Sequence, residues 1–222
     1  MQSVVIIGNS ITAEVVYDLI KKDERYKVEC FAIDKQYINE KRFHDLEIIE
    51  IDRLTSVFDK SNIKVIVATG YSNLNKNREL IFQRIIKYGF QIETYIHPDA
   101  KVYAKNIGNG CLIFPGAIVD PFCKIGNNVV IWSNAICAHH SVVGNNCWIA
   151  SGSILSGEVK IGHNTFLGVG STVVNKVEVG SYNIIGAGAT ITKCTNAYEV
   201  YLTKSGEKIP FNSKEYSKAY GY

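Results

Sequence analysis

From Ile107 onward every sixth residue is apolar: Ile107, Ile113, Val119, Ile125, Ile131, Cys137, Val143, Ile149, Leu155, Ile161, Leu167, Val173, Val179, Ile185 and Ile191. The run holds for fifteen consecutive positions, all aliphatic but Cys137, without an insertion. A second register stands four residues after each member, from Cys111, Ala117 and Cys123 through Ala135, Ser141 and Ser153 to Ala189 and Thr195, nearly all small or β-branched. Glycine often follows the aliphatic residue, as at Gly108, Gly126, Gly144, Gly162, Gly168, Gly180 and Gly186. Each hexapeptide therefore reads as a short strand and a corner, with the aliphatic side chain pointing into a narrow prism. Glycine and asparagine supply corner geometries that a Cβ penalises. One hexapeptide cannot bury its aliphatic face alone, whereas stacked coils make a continuous apolar column. Three hexapeptides close one triangular coil, so residues 107–195 give about five coils of a parallel β-helix.

Residues 1–95 follow another pattern. VVIIG (4–8) reads as a buried strand ending in glycine, and residues 11–22 space Ile11, Val15, Val16, Leu19 and Ile20 as a helix does. KVECFAID (27–34) and KVIVATG (64–70) are two further strands, and residues 76–88 form a helix with Leu80, Ile81, Ile85 and Ile86 on one face. This alternation predicts a small parallel α/β unit of Rossmann type. A last strand, QIETYIH, leads through Pro98 into an imperfect coil at 96–106. The expected fold class is mainly β with a small α/β domain: a Rossmann-like βαβ domain over 1–95, then a β-helix over 96–195. The tail over 196–222, rich in Tyr, Lys and Ser, is expected to pack on the last coil.

Hydrophobic residues make up 46% of the 222 and charged residues 20%, a balance that supports a real core. The net charge is +3 with Lys and Arg scattered, which argues against a nucleic-acid partner. No run approaches the roughly 18–20 apolar residues of a membrane span, and the N-terminus lacks a signal-peptide pattern. Six cysteines without a C-x-x-C pair read as buried small side chains, so a cytoplasmic location is expected.

The repeat joined to an N-terminal Rossmann-like unit resembles the hexapeptide-repeat sugar acyltransferases of the sialic acid O-acetyltransferase and bacillosamine-pathway N-acetyltransferase family. That resemblance implies a left-handed parallel β-helix, acetyl-CoA as co-substrate, and a nucleotide-activated sugar or sialic acid as acceptor. It also implies a homotrimer with active sites between neighbouring β-helices. In C-A-H-H-S-V-V-G, His139 matches the family's catalytic histidine and is the expected general base. The family places an acid directly after it; here that residue is His140, a second candidate for contact with the sugar. Gly157 lies one 18-residue coil after His139, where its N–H suits the thioester carbonyl oxygen. Gly168, Gly170, Ala187, Gly188 and Lys193 are the candidates for the CoA groove, Lys193 for a phosphate. In the N-terminal unit, Gly8, Asn9 and Ser10 open the first helix and aim free N–H groups at an anion. Ile11 and Thr12 stand where relatives carry Gly-His. Asp34 and Lys35, with Gly70, Ser72, Asn73 and Arg78, match the nucleotide-facing loops, and His97 is expected to be structural.

These residues point to N-acetylation of a UDP- or dTDP-linked amino-deoxy sugar by direct transfer, with no metal. The alternative within the class is O-acetylation of sialic acid or another sugar hydroxyl. A γ-type carbonic anhydrase uses three zinc-binding histidines on the same β-helix. His163, however, lies 24 residues after His139, one coil plus one face away. A non-catalytic sugar-nucleotide scaffold is the third reading.

Overall fold

The computed structural model describes residues 1–210 and 212–220; Phe211, Gly221 and Tyr222, part of the tail expected on the last coil, lie outside the described residues. The N-terminal sheet is built from β1 (Gln2–Ile7), β2 (Tyr26–Ile33), β3 (Arg42–Phe43), β4 (Leu46–Glu50), β5 (Lys64–Val67) and β6 (Gln91–Ile92). Their order is β3-β4-β2-β1-β5-β6, parallel except for the β3–β4 hairpin. The apolar runs of β1 and β5 sit at the centre with Val4 to Ile7 and Val65 to Val67 essentially without exposure, as strands covered on both faces require. Three helices, α1 (Ile11–Ile20), α2 (Leu54–Val57) and α3 (Lys76–Lys87), connect the strands. Sequence periodicity located α1 and α3 but not the β3–β4 hairpin. Of the face expected on α3, Ile81 and Ile85 pack inward but Leu80 and Ile86 do not. Arg78, Phe82 and Ile85 are buried, while Leu80 and Ile86 are each 54% exposed. The i, i+4, i+7 row that includes Arg78 faces inward because β5 and the β-helix both offer carbonyls there.

From Tyr95 the chain winds as a triangular parallel β-helix of two-residue strands. The first face runs from Tyr95–Ile96 to Val200–Tyr201 in seven strands, the second from Lys101–Val102 to Thr190–Ile191 in six, and the third from Asn106–Ile107 to Glu178–Val179 in five. Strands 18 residues apart pair in register, as Ile113 with Ile131 and Leu155 with Val173. The run QIETYIH is not one strand. Gln91–Ile92 closes the α/β sheet and Tyr95–Ile96 opens the first face. The first coil is imperfect because the step from Val102 to Ile107 is five positions rather than six.

The sixfold apolar positions form one core cluster inside the prism. Its polar members are satisfied locally: Ser141, Ser153 and Thr165 each donate to a main-chain carbonyl of the next coil, at 2.9–3.0 Å. At the corner between the third and first faces, the N–H groups of Asn109, Asn127, Asn145 and His163 each donate to the side chain one coil on, at 2.8–3.1 Å. Beside this ladder a buried row runs Asn128 to Asn146 to Asn164. Its last member donates to the Leu74 carbonyl and the Glu79 carboxylate at the start of α3. Asn75, Asn73 and Leu74 all hold positive φ in that loop, an uncommon left-handed run that asparagine tolerates best.

The α/β unit packs on the first face and on the corner that leads into it from the third. Tyr95, Leu112, Phe114, Val130 and Trp148 join one cluster with Val4, Ile6 and Ile66. Trp132 stacks on Phe114 with ring centroids 4.1 Å apart. At the other end, Val200–Tyr201 pairs with Ile184–Ile185 on the same face, and α4 (Ser213–Tyr220) follows. No helix among the described residues is long and apolar enough to cross a membrane.

Candidate active site

His139 sits at the corner between the second and third faces, after the strand Ile136–Cys137. Its ring lies on the Cα of Gly157, one coil along. A Cβ built on Gly157 would stand 2.6 Å from His139 Cε1 and 2.8 Å from Nε2. Only glycine admits the ring at that distance. Gly157 is buried, its carbonyl accepts from the Lys176 N–H at 3.1 Å, and among the described residues its own N–H donates to no acceptor. The corner therefore presents an exposed imidazole beside an unused main-chain donor, the pair that acyl transfer to an amine needs.

His140 holds a left-handed φ of 61°, stacks on Phe122 of the preceding coil at 4.7 Å, and brings its Nδ1 to 3.2 Å from the Nδ1 of His139. Both imidazoles are exposed. Lys193 is also exposed, at the same corner two coils beyond Gly157, about 10 Å at the usual strand spacing. Gly168, Gly170, Ala187 and Gly188 are not there. They occupy the corner between the first and second faces, where Gly170 and Gly188 take positive φ and stand clear of close neighbours. One prism edge thus carries His139, Gly157 and Lys193, and a different edge carries the other four.

A cavity of about 270 Å³ lies at the carboxyl ends of β1, β2 and β5, where ligands of open parallel sheets bind. Gly8, Asn9, Ser10, Asp34, Gly70 and Ser72 line it. Gly8 holds φ 126° and a Cβ there would meet the Ala68 carbonyl oxygen at 2.8 Å, so the turn needs glycine. Ser10 caps α1 without a hydroxyl bond to the helix, which leaves the first-turn N–H groups for an anion. Asp34 is paired with Arg84 at 2.5 Å.

Three expected residues are elsewhere. Lys35 projects to solvent, 3.8 Å from Glu50, and Asn73 is exposed outside the cavity. Arg78 is 1% exposed and spends its guanidinium on main-chain carbonyls: Val67 and Thr69 at the end of β5, Gly110 at 3.2 Å and Asn128 at 3.5 Å on the β-helix. Burial pushes its pKa down to about 10, still charged at neutral pH. Arg78 is a bracket between the two units, not a nucleotide contact. Tyr37, Thr69, Asn77 and Ile81 line the cavity instead. Asn77 lies one residue before Arg78 on α3 and was reachable from helical spacing, whereas Tyr37 enters on a three-residue turn with no sequence signature.

His163 is structural, since its Nδ1 accepts the Asn145 N–H at 3.1 Å. His97 likewise accepts locally, from the Asp99 N–H at 3.1 Å. Five cysteines are buried and Cys194 is exposed. Burial pushes the Cys111 thiol up to about 11 and that of Cys147 to about 12, which keeps them protonated and inert. Among the described residues no three His, Cys, Asp or Glu side chains gather as a metal requires.

The α/β unit that bears this cavity packs against the first face, and the edge with His139 lies between the other two faces.

The class defined by this architecture is the hexapeptide-repeat β-helix. Residues 104–139, 140–175 and 158–193 match the bacterial transferase hexapeptide (six repeats), so the chain carries this repeat through most of its left-handed prism. Over about nine tenths of its length the chain shares its two-part fold with solved structures. PerB from Caulobacter crescentus, in complex with CoA and GDP-perosamine, superposes with a TM-score of 0.80 at 24% identity, over 90% of this chain and 93% of that one. The acetyltransferase domain of PglB from Neisseria gonorrhoeae, in complex with acetyl coenzyme A, gives 0.79 at 23% identity over 88% and 93%. WeeI from Acinetobacter baumannii gives 0.78 at 19% over 90% and 96%. By sequence alone, no curated protein matches the chain.

Proposed function

We propose that this protein is an acetyl-CoA-dependent N-acetyltransferase acting on a nucleotide-linked amino-deoxy sugar. The observation that carries the reading is the ring of His139 resting on Gly157, beside an N–H with no other acceptor. His139 takes the proton that the attacking amine must lose, and the Gly157 N–H steadies the oxyanion as the nitrogen adds to the thioester carbonyl. The carbon–sulfur bond then breaks and the sulfur leaves as CoA thiolate, which takes up a proton. Lys193, on the same edge, suits a phosphate of CoA. The cavity with Gly8, Ser10, Asp34 and Asn77 holds the nucleotide, its phosphates toward the start of α1.

Because the α/β unit with this cavity packs on the first face while His139 stands at the edge between the other two, the site in this reading is completed between copies of the chain. One copy gives the edge with His139, Gly157 and Lys193. Another gives the cavity, and the edge with Gly168, Gly170, Ala187 and Gly188 forms the second wall of the CoA groove. A ring of three such copies closes these heterologous contacts. The solved relatives bound to CoA, acetyl coenzyme A and GDP-perosamine support the substrate classes.

The test is CoA release from acetyl-CoA with GDP-, UDP- and dTDP-linked 3-amino and 4-amino sugars, wild type against His139→Ala. Turnover on one amino sugar, lower by about 10²-fold or more in the variant, supports the reading. Turnover only on sugar hydroxyls, sialic acid among them, would replace the amine in this proposal.

A further inference from the structure

We infer that His140 is the positioning residue of His139: a neutral imidazole that accepts the Nδ1–H of its neighbour and so leaves His139 Nε2 as the free base. The inference rests on the reading of His139 as the base. Its ground is the geometry of the pair. The two Nδ1 atoms are 3.2 Å apart, a hydrogen-bond distance that demands one donor and one acceptor. His140 is not free to swing away. Its backbone holds the left-handed corner, φ 61°, and its ring is stacked on Phe122 at 4.7 Å with 26° between planes. The ring of His139 stands nearly perpendicular to it, at 83°, and is backed by Gly157.

With His140 Nδ1 as acceptor, His139 carries its proton on Nδ1 and presents the Nε2 lone pair at the edge where Gly157 offers its N–H. When Nε2 takes the proton of the amine, the imidazolium keeps the same hydrogen bond to a neutral partner. A carboxylate in that position attracts the cation more strongly and raises its pKa. A neutral acceptor orients the ring without that pull. The charged residues at this corner on the adjoining coils are, among the described residues, Asp120 on the preceding one and Glu158 on the following one. Lys176 lies 3.8 Å from Glu158. All of these are common to the variants below.

Asparagine and aspartate suit this corner, because both tolerate the left-handed conformation and place an oxygen near the histidine Nδ1 position. Glycine removes the acceptor without straining the backbone. The experiment compares wild type with His140→Asn, His140→Asp and His140→Gly in two ways: pH profiles of acetyl transfer, and nitrogen chemical shifts of the imidazoles in labelled protein. The expected result is a fall in kcat on the order of tenfold or more for His140→Gly, with KM for both substrates nearly unchanged, and recovery in His140→Asn. The acid limb of kcat/KM stays in place for His140→Asn and moves to higher pH in His140→Asp. The spectra show His139 protonated on Nδ1 in wild type and in His140→Asn, and a tautomer mixture in His140→Gly. A wild-type His139 protonated on Nε2 overturns the proposal, as does an unchanged kcat in His140→Gly or an unmoved acid limb in His140→Asp. The spectra need no substrate, so a failure of the acetyl-transfer reading leaves this tautomer test standing.

Discussion

Substituting Gly157 by alanine separates function from stability at this site. The added Cβ would stand 2.6 Å from His139 Cε1 and 2.8 Å from Nε2, where carbon contacts normally begin near 3.5 Å. The ring must therefore retreat by about 1 Å, a misplacement that costs on the order of 10²-fold in rate when it affects a reacting group. That loss corresponds to about 2.7 kcal/mol of transition-state stabilisation. The fold has little to lose, because the obstacle is an exposed side chain that can swing outward and Gly157 does not hold positive φ. Gly126 is the contrast. There a Cβ meets the backbone of Gly144 and Asn145 at 2.8–2.9 Å, as well as the Asn145 Oδ1, and coils cannot part without breaking the ladder. The assay is initial-rate CoA release beside thermal unfolding. Gly157→Ala should lose about 10²-fold in kcat with Tm nearly unchanged, whereas Gly126→Ala should lower Tm first. Wild-type kcat in Gly157→Ala would refute the claim that the ring must sit against that Cα to work.

Other consequences follow from the same contacts. Replacing Arg78 by methionine strands four carbonyls in the seam between the α/β unit and the β-helix. It should cost roughly 3 kcal/mol or more in denaturant unfolding. Asp23 is held below the usual carboxylate range, chiefly by the hydrogen bonds of Arg25, whose guanidinium also reaches the Ile96 carbonyl of the first coil at 2.7 Å. A depressed carboxylate stabilises the fold above its unfolded pKa, near 4, and loses that contribution as pH falls through the lower folded value. The stability gap between wild type and Asp23→Asn should therefore be full at neutral pH and close in acid, measured by urea unfolding across pH. Filling the N-terminal cavity by Asn77→Trp should raise KM for the nucleotide sugar while leaving KM for acetyl-CoA unchanged.

How much was legible in the sequence follows from which forces act locally. The prism was readable because each coil repeats the same demand: an aliphatic side chain inward every sixth residue and a small one beside it. The edge with His139 and Gly157 was readable for the same reason, since a fixed 18-residue coil turns sequence distance into position. The α/β unit was less transparent. Arg42–Phe43 and Leu46–Glu50 form a short hairpin at one side of the sheet whose mixed charges carry no alternation. Leu80 and Ile86 look like a buried face until the second unit is present to bury Arg78 in their place. A charged side chain reads as solvent-facing by default, and only the carbonyls of Gly110 and Asn128, more than thirty residues away in sequence, say otherwise. Tyr37 came to the cavity through tertiary folding alone.

The central claim is an acetyl transfer carried out between copies, with the base from one and the nucleotide cavity from another. Mixed assemblies of His139→Ala and Asn77→Trp chains test it most directly, by CoA release with the amino sugar that wild type accepts. With the nucleotide sugar held well below the raised KM of Asn77→Trp, each variant alone should be nearly inactive. In a statistical mixture, about a quarter of the sites pair an intact His139 edge with an intact cavity, so activity should return to about a quarter of wild type. A mixture as inactive as its parents would contradict the account, because each chain would then be using its own histidine and its own cavity.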